Sequence, residues 1–242
     1  LATDPAGPAP GARPVPLKEG LGAAGVVVIA TPLSTGPAIL EDVLGHDPAG
    51  LVVDIFSLKS HVLRTLTVAA RAGRRVASLH PLFGPSVRTL SGRTMAVLDC
   101  GNTAAADEAA ALFRDTALTI TRLPVDQHDA YMQYVLGLSH LTAILFFTTL
   151  AAADRTAADL ATMASTTFNR VSLVAADVAA ENPLLYYEIQ HLNRHSAELY
   201  ELVRRSLARI EAAALAHDPS AFVDIMEAGR RQFAAAIPQE LG

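Results

Sequence analysis

Three short segments at the predicted ends of strands carry the polar residues best suited to chemistry. Thr31-Pro32, Ser57 and His80 each follow a run of apolar residues. Because the carboxyl ends of parallel strands meet at one edge of a sheet, we expect these side chains to lie near one another. A hydroxyl beside an imidazole suits proton transfer, and the reference pKa of histidine, about 6.5, leaves the ring able to accept a proton at neutral pH.

Several of these polar residues also have a structural interpretation. Ser57 could cap a helix beginning at Leu58, a role that is compatible with a catalytic one. His80 could be a partly exposed turn residue, but the proline and glycine residues that follow it fix the backbone and favour a functional role. His140 lies in an apolar helical stretch, where a histidine is more often a core residue, and His128 could belong to a helix cap region.

The elements that position these residues change character about halfway along the chain. Residues 1–123 alternate between apolar, β-branched runs and helical stretches, a pattern typical of a parallel sheet with right-handed crossovers. After Pro124 no segment resembles a strand, and apolar residues recur at helical spacing. We therefore predict an α/β fold followed by an all-α region, with one domain over residues 1–123 and a second over residues 124–242.

The bounds of the predicted elements follow from the same patterns. The proline-rich residues 5–20 predict a loop. Asn182-Pro183 and Asp218-Pro219 each place a capping residue before a proline, which indicates the start of a helix. The predicted strands cover residues 26–30, 51–54, 75–79, 94–98 and 118–123. The predicted helices cover residues 35–44, part of 57–72, 104–113, 126–153, 183–214 and 219–236.

Composition excludes several classes of protein. The chain has 242 residues and a net charge of −5, with no basic block, which argues against a nucleic-acid surface. The single cysteine, Cys100, excludes an intramolecular disulfide framework and a cysteine-clustered zinc site, and it fits a reducing cytoplasm. The most apolar stretch, residues 141–153, is too short to span a membrane and predicts a buried helix. We therefore expect a cytoplasmic protein that binds no metal, membrane or nucleic acid.

Six motifs follow one another over roughly residues 26–240. They are Asp54-Ile-Phe-Ser57-Leu-Lys59, Ser78-Leu-His80-Pro-Leu-Phe-Gly-Pro85, His128-Asp129 with Gln133, Leu138-Ser139-His140-Leu141, Phe168-Asn-Arg170 and Glu181-Asn-Pro183-Leu-Leu-Tyr186. In this order they resemble the prephenate dehydrogenase family, which includes the arogenate dehydrogenases. The resemblance implies a Rossmann-like nucleotide-binding domain, followed by a helical domain through which two chains form a homodimer.

The resemblance also implies a reaction and the residues that perform it. A cyclohexadienyl acid would undergo oxidative decarboxylation, in which hydride leaves C4 for a nicotinamide while carbon dioxide leaves C1. His80 would accept the proton of the C4 hydroxyl, Ser57 would orient His80 and that hydroxyl, and Arg170 would bind the substrate carboxylate. Gln133 and His140 are seven residues apart, so they would share a face of a regular helix. The further substrate-binding candidates are His140, Gln133 and His128.

The implied cofactor is NAD, with NADP possible. Asp4 resembles the acidic residue that hydrogen-bonds the adenosine ribose, while Arg13 in the following loop leaves NADP open. The other cofactor contacts expected are Thr31, Pro32 and Ser57. The glycine-rich turn that binds the pyrophosphate is not evident, since Gly20-Leu-Gly22-Ala-Ala-Gly25 precedes a strand when it should follow one. We expect the first strand and that turn to lie upstream of Leu1; the alternative is an incomplete cofactor site.

Within this family the sequence favours prephenate as substrate, and hence a role in tyrosine biosynthesis. No acidic residue stands between Ser86 and Arg93 to receive the amine of arogenate, whereas Arg88 suits a keto acid. The alternatives are arogenate, 4-amino-4-deoxyprephenate and a non-catalytic relative. A hydroxy-acid dehydrogenase of similar construction would need a lysine in its helical half, and no lysine follows Lys59.

Overall fold

The computed structural model of the chain describes residues 1–7, 10–84, 87–217 and 219–234. These residues form two compact units, Leu1–Ser196 and Ala197–Gly242. The predicted division at residue 123 falls inside the first unit, at the point where the last strand ends and the helices begin. The division into domains at this position stays a prediction. Pro85, Ser86 and Asp218, which appear in the motifs and patterns above, lie outside the described residues.

The first unit contains a five-stranded sheet in which the strands are arranged in chain order. The strands are β1 (Val26–Ile29), β2 (Leu51–Asp54), β3 (Val76–Pro81), β4 (Thr94–Asp99) and β5 (Thr119–Pro124). Three of the pairings are parallel, but β3 and β4 are antiparallel. The prediction of a parallel sheet is therefore wrong at this one pairing. A parallel connection needs a crossover, usually a helix, and the described residues between β3 and β4 form none.

Helices precede, connect and follow the strands. They are α1 (Leu17–Ala23), α2 (Gly36–Gly45), α3 (Leu63–Arg71), α4 (Thr103–Ala111), α5 (Val125–Met132), α6 (Ser139–Ala151), α7 (Ala157–Ala161), α8 (Thr166–Ala180), α9 (Pro183–Leu192), α10 (Ser196–Leu215) and α11 (Pro219–Phe233). A 3-10 helix covers Leu33–Thr35, and a π-helical segment, Gln133–Leu138, connects α5 to α6.

Two helix predictions need correction. Residues 5–20 were expected to be a loop, but α1 begins at Leu17, because Pro16 is extended and ends the proline-rich stretch. Asn182 caps α9 as predicted, with its side chain accepting a hydrogen bond from the Leu184 amide. The long helix expected to follow is interrupted, since Asn193 has an extended backbone and α10 begins only at Ser196.

Apolar residues cover both faces of the sheet. All four residues of β2 are buried, as its unbroken apolar pattern predicts for a central strand. Side chains alternate between faces along a strand, so Val52 belongs to one apolar cluster and Val53 to another. Residues of α2 and α3 join the first cluster, and residues of α4 join the second. The packing on both sides fixes the ends of β2 and β3 beside each other.

The helix formed by α5, the π-helical segment and α6 is much more exposed than expected. Of α6, only Leu141 and Ala143 are buried, so the prediction of a buried helix over residues 141–153 is wrong. The uninterrupted helix, Val125–Ala151, is also longer than that apolar stretch. Its length and composition alone would allow it to cross a membrane, a property it shares with helices that pack in soluble proteins. The expectation of no membrane contact stays a prediction.

Candidate active site

His80 lies near the carboxyl end of β3 and is almost completely buried. We predicted that it follows the strand, but β3 continues to Pro81 because β4 pairs with it, placing His80 opposite Ala96. The Nδ1 atom of His80 lies 2.9 Å from Nε2 of His128 on α5. The two rings meet edge to face, with centroids 5.0 Å apart. The structure thus brings together two of the histidines that the sequence singled out.

Asp129 continues this chain of contacts on the other side of His128. Its Oδ1 lies 2.7 Å from Nδ1 of His128. The carboxylate also accepts hydrogen bonds from the Lys59 amide and from both the amide and the hydroxyl of Ser60. Burial on its own would raise the pKa of Asp129, but the hydrogen bonds from His128, Ser60 and Lys59 outweigh it and lower the pKa to about 2. Asp129 is therefore ionised at neutral pH.

A buried ion pair supports the loop that follows β2. Lys59 Nζ lies 2.5 Å from Asp54 Oδ1 and donates to the Leu79 carbonyl at 2.8 Å. Both charged side chains are almost completely excluded from solvent. Burial lowers the pKa of Lys59, and the neighbouring Asp54 carboxylate opposes that shift. Because the pair joins the end of β2 to the residue just before His80, it holds the two strand ends in register.

The surroundings of His80 favour its neutral form. Burial lowers the pKa of His80 well below 6.5, and the neighbouring His128 and Lys59 lower it further, while Asp129 acts in the opposite direction. Burial likewise lowers the pKa of His128, while the hydrogen bond that His128 donates to Asp129 acts in the opposite direction. An uncharged imidazole can accept a proton from a hydroxyl group, so the geometry and the charge state both suit a general base.

Ser57 is half-buried in the loop after β2 and makes no hydrogen bond to a described residue. Its predicted orienting effect on His80 therefore stays a prediction. The alternative interpretation, a cap on a helix beginning at Leu58, is wrong: α3 begins at Leu63, and Val62 occupies its N-cap position.

The predicted substrate-binding residues have diverse surroundings. Gln133 is buried, and its Oε1 has no partner among the described residues. His140 packs edge to face on Tyr186 at 4.7 Å between ring centroids, and burial lowers its pKa. Arg170 is exposed on α8 and forms no ion pair with a described residue. The π-helical segment has more residues per turn than an α-helix, so the expected shared face of Gln133 and His140 stays a prediction.

Of the expected cofactor contacts, Thr31 and Pro32 follow the edge strand β1, Ser57 follows β2, and Asp4 precedes α1. Thr31 Oγ1 is buried without a partner among the described residues, and Thr31 lines a cavity of about 300 Å³ that also borders β1 and Leu1. Pro32 is exposed, and the exposed Asp4 accepts a hydrogen bond from the Ala6 amide. The contact of these residues with a cofactor stays a prediction. A glycine-rich turn following a strand is not found in the described part of the chain.

Some residues of the site were missed in the sequence. Asp54, Lys59 and Asp129 lie within the motifs. Asp54 and Lys59 could have been detected as charged residues in largely apolar runs, whereas Asp129 lies among other polar residues. His61 was also missed; it packs on Phe56, and both of its ring nitrogens are buried without partners among the described residues. In the part of the chain that the structure describes, no cluster of three or more histidine, cysteine, aspartate or glutamate side chains could hold a metal ion.

Comparison with known proteins connects this geometry to a family. A family model described as "Prephenate dehydrogenase, dimerization domain" matches residues 124–228. A probable arogenate/prephenate dehydrogenase of Methanocaldococcus jannaschii is 24% identical over 212 residues, covering 86% of this chain and 48% of that protein. A 4-amino-4-deoxyprephenate dehydrogenase of Streptomyces pristinaespiralis is 26% identical over 203 residues, covering 84% of this chain and 68% of the relative. The chain thus spans about half the length of the first relative and two thirds of the second.

Solved structures confirm the predicted fold class, an α/β domain followed by helices. The arogenate dehydrogenase of Synechocystis superposes with a TM-score of 0.71 at 14% identity, over 92% of this chain and 82% of that one. The prephenate dehydrogenase of A. aeolicus, solved with hydroxyphenyl propionate and NAD+, gives a TM-score of 0.70 at 16% identity, over 87% and 76%. The family model, the curated relatives and the fold agree: the chain is similar to the prephenate and arogenate dehydrogenases, and residues 124–228 match the dimerization domain of that family.

Proposed function

We propose that the protein is an NAD-dependent dehydrogenase that converts prephenate to 4-hydroxyphenylpyruvate in tyrosine biosynthesis, in the cytoplasm. The observation that carries this proposal is the state of His80. Its ring is held neutral by burial, its Nδ1 contacts His128, and its Nε2 has no hydrogen-bond partner among the described residues. A neutral imidazole with one free nitrogen is equipped to take a hydroxyl proton.

The reaction moves a hydride, a proton and an electron pair, and each has an acceptor. NAD+, when bound, accepts the hydride that leaves C4. His80 takes the C4 hydroxyl proton, the bond from C1 to its carboxylate breaks, and the freed electron pair enters the ring as carbon dioxide leaves. His80 then returns the proton to the phenolate oxygen of the product. Formation of the aromatic ring makes the overall conversion favourable.

Substrate recognition is assigned to residues of the helical half. Arg170 presents an exposed, permanently charged guanidinium, whose planar fork matches a carboxylate. His140 Nδ1 and Gln133 Oε1 are buried and have no hydrogen-bond partner among the described residues. Buried polar atoms are usually hydrogen-bonded, so these two atoms are suited to bind a substrate. The exposed Arg88, in a stretch without acidic residues, favours the keto acid of prephenate over the amine of arogenate.

Kinetic assays of the full-length protein test this proposal. NADH formation is measured with prephenate, arogenate and 4-amino-4-deoxyprephenate, each with NAD and with NADP. We expect the highest kcat/KM for prephenate with NAD, and saturable NAD binding by titration calorimetry. A higher kcat/KM for arogenate would overturn the choice of substrate. Undetectable NAD binding would favour a non-catalytic relative.

A second candidate substrate is 4-amino-4-deoxyprephenate, the compound in the name of the Streptomyces relative. This compound has no C4 hydroxyl proton to lose, so a general base at His80 would contribute less. Replacement of His80 by Asn separates the two candidates. A large loss of turnover on prephenate, with a much smaller loss on the amino compound, would support prephenate chemistry at His80.

The helical residues also support a homodimer. The family model that matches residues 124–228 is described as a dimerization domain. The first unit exposes apolar side chains on α6 and α8, namely Leu145, Val171, Leu173 and Val174. The second unit exposes others on α10 and α11, namely Leu207, Leu215, Val223, Met226 and Phe233. Exposed apolar surface of this extent fits an interface with a second copy of the chain.

A further inference from the structure

The contacts between Asp129, His128 and His80 have a defined direction. A carboxylate can only accept hydrogen bonds, so the 2.7 Å contact with Asp129 requires a proton on Nδ1 of His128. With His128 neutral, its Nε2 is then a bare acceptor. The 2.9 Å contact with that atom in turn requires a proton on Nδ1 of His80. In neutral His80, the lone pair therefore lies on Nε2.

We infer that His128 and Asp129 are positioning residues that fix the tautomer of His80, so that Nε2 is the proton-accepting atom. The catalytic consequence of this inference rests on the proposed function. The tautomer itself follows from the contacts alone. In serine hydrolases an Asp-His pair orients a catalytic serine. Here Asp129 and His128 form the corresponding pair, and the group that they orient is the imidazole of His80.

The charges around the two rings sustain this direction. The charged or titratable groups that act on His80 are His128, Lys59 and Asp129, and those that act on His128 are Asp129, Lys59 and Asp54. Asp129 stays ionised because Ser60 and the Lys59 amide donate to it. Once His80 has accepted a proton, the Asp129 carboxylate stabilises the imidazolium through His128.

The hydrogen bonds to Asp129 also predict what an amide would do in its place. The amide and hydroxyl of Ser60 both donate to Oδ2, and the Lys59 amide donates to both Oδ1 and Oδ2. In Asp129→Asn the amide oxygen would therefore occupy the Oδ2 position, where it keeps all three of these donors. The amide NH2 group would then face Nδ1 of His128 and donate to it. His128 would carry its proton on Nε2 and donate to His80, which moves the His80 proton to Nε2. The substitution thus reverses the tautomer while changing no side-chain volume.

Long-range proton–nitrogen NMR of the histidine rings in the full-length protein tests the inference directly. We expect His80 to carry its proton on Nδ1 in the wild type and on Nε2 in Asp129→Asn. Asp126→Asn is the matched control, since Asp126 is an exposed aspartate on the same helix, and we expect it to leave the wild-type tautomer. Wild-type His80 protonated on Nε2, or an unchanged tautomer in a folded Asp129→Asn protein, would overturn the inference.

Kinetics supply a second readout that separates this inference from the proposed function. We expect Asp129→Asn to lower kcat on prephenate by about 10²- to 10⁴-fold with little change in KM, and Asp126→Asn to retain wild-type values. A tautomer reversal in a wild-type protein that does not turn over prephenate would refute the function and keep the inference. Turnover of prephenate by the wild type, with the wild-type tautomer of His80 retained in Asp129→Asn, would support the proposed function and refute the inference.

Discussion

At the scale of single residues, the protonation of His80 determines the pH dependence of the reaction. An unperturbed histidine would place the ionisation near neutrality, but burial and the neighbouring His128 and Lys59 lower the pKa of His80 well below 6.5. The base form therefore persists at neutral pH and is lost only as the pH falls below 6.5. We expect kcat/KM on prephenate to be flat from pH 7 to 8 and to decline at acid pH. A midpoint at or above 6.5 would contradict the assignment.

Arg170 offers a second test at this scale. A cation that holds the departing carboxylate stabilises the bound substrate as well as the transition state, so it contributes more to binding than to turnover. We expect Arg170→Ala to raise KM about 10- to 100-fold and to change kcat much less. This increase in KM corresponds to the binding free energy that a hydrogen bond to a charged group contributes. Arg155→Ala, at another exposed arginine of the helical half, is the control. Loss of kcat at unchanged KM would exclude this role.

At the scale of elements, the buried Lys59–Asp54 pair connects the ends of β2 and β3. Removal of one partner leaves the other charge buried and unpaired, at a cost of about 3–5 kcal/mol. We expect Lys59→Met to lower the free energy of urea unfolding by this amount, and Lys18→Met, at an exposed lysine, to change it little. Lys59→Met combined with Asp54→Asn should recover part of the loss. An unchanged unfolding free energy in Lys59→Met would show that the pair does not stabilise the fold.

The elements also show what the sequence could reveal. The observed β2 has the predicted bounds, because its unbroken apolar run is the signature of a strand covered on both faces. The antiparallel direction of β4 was missed, since the pattern of β4 is the same in either direction and only the connection decides it. The π-helical segment was missed for a related reason: apolar spacing does not report a local change in helix geometry.

The candidate site was predictable to a similar extent. His80 was found because polar residues at strand ends are conspicuous, and its location near the carboxyl end of β3 follows from the topology of the sheet. The importance of His128 was underestimated, because its contact with His80 joins residues 48 positions apart in the chain. Asp129 was missed because an aspartate in the first turns of a helix resembles a solvated residue until its four donors are seen.

At the scale of the whole molecule, exposed apolar side chains of the helical half predict self-association. Leu173 on α8 is 68% exposed, and Val68 on α3, in the α/β half, is 60% exposed. We expect sedimentation equilibrium of the wild type to give a dimer. Leu173→Glu should shift it towards monomer, because the charge would be buried at the interface, while Val68→Glu should leave the dimer intact. A monomeric wild type, or dissociation by Val68→Glu alone, would contradict the proposed interface.

The central claim is that neutral His80 removes the hydroxyl proton during oxidative decarboxylation. Its most direct test is NADH formation from prephenate by the full-length wild-type protein and by His80→Asn, with NAD binding to both followed by calorimetry. We predict turnover by the wild type, a loss of kcat of about 10²- to 10⁴-fold in His80→Asn, and unchanged NAD affinity. A His80→Asn protein that retains wild-type kcat on prephenate would contradict the account.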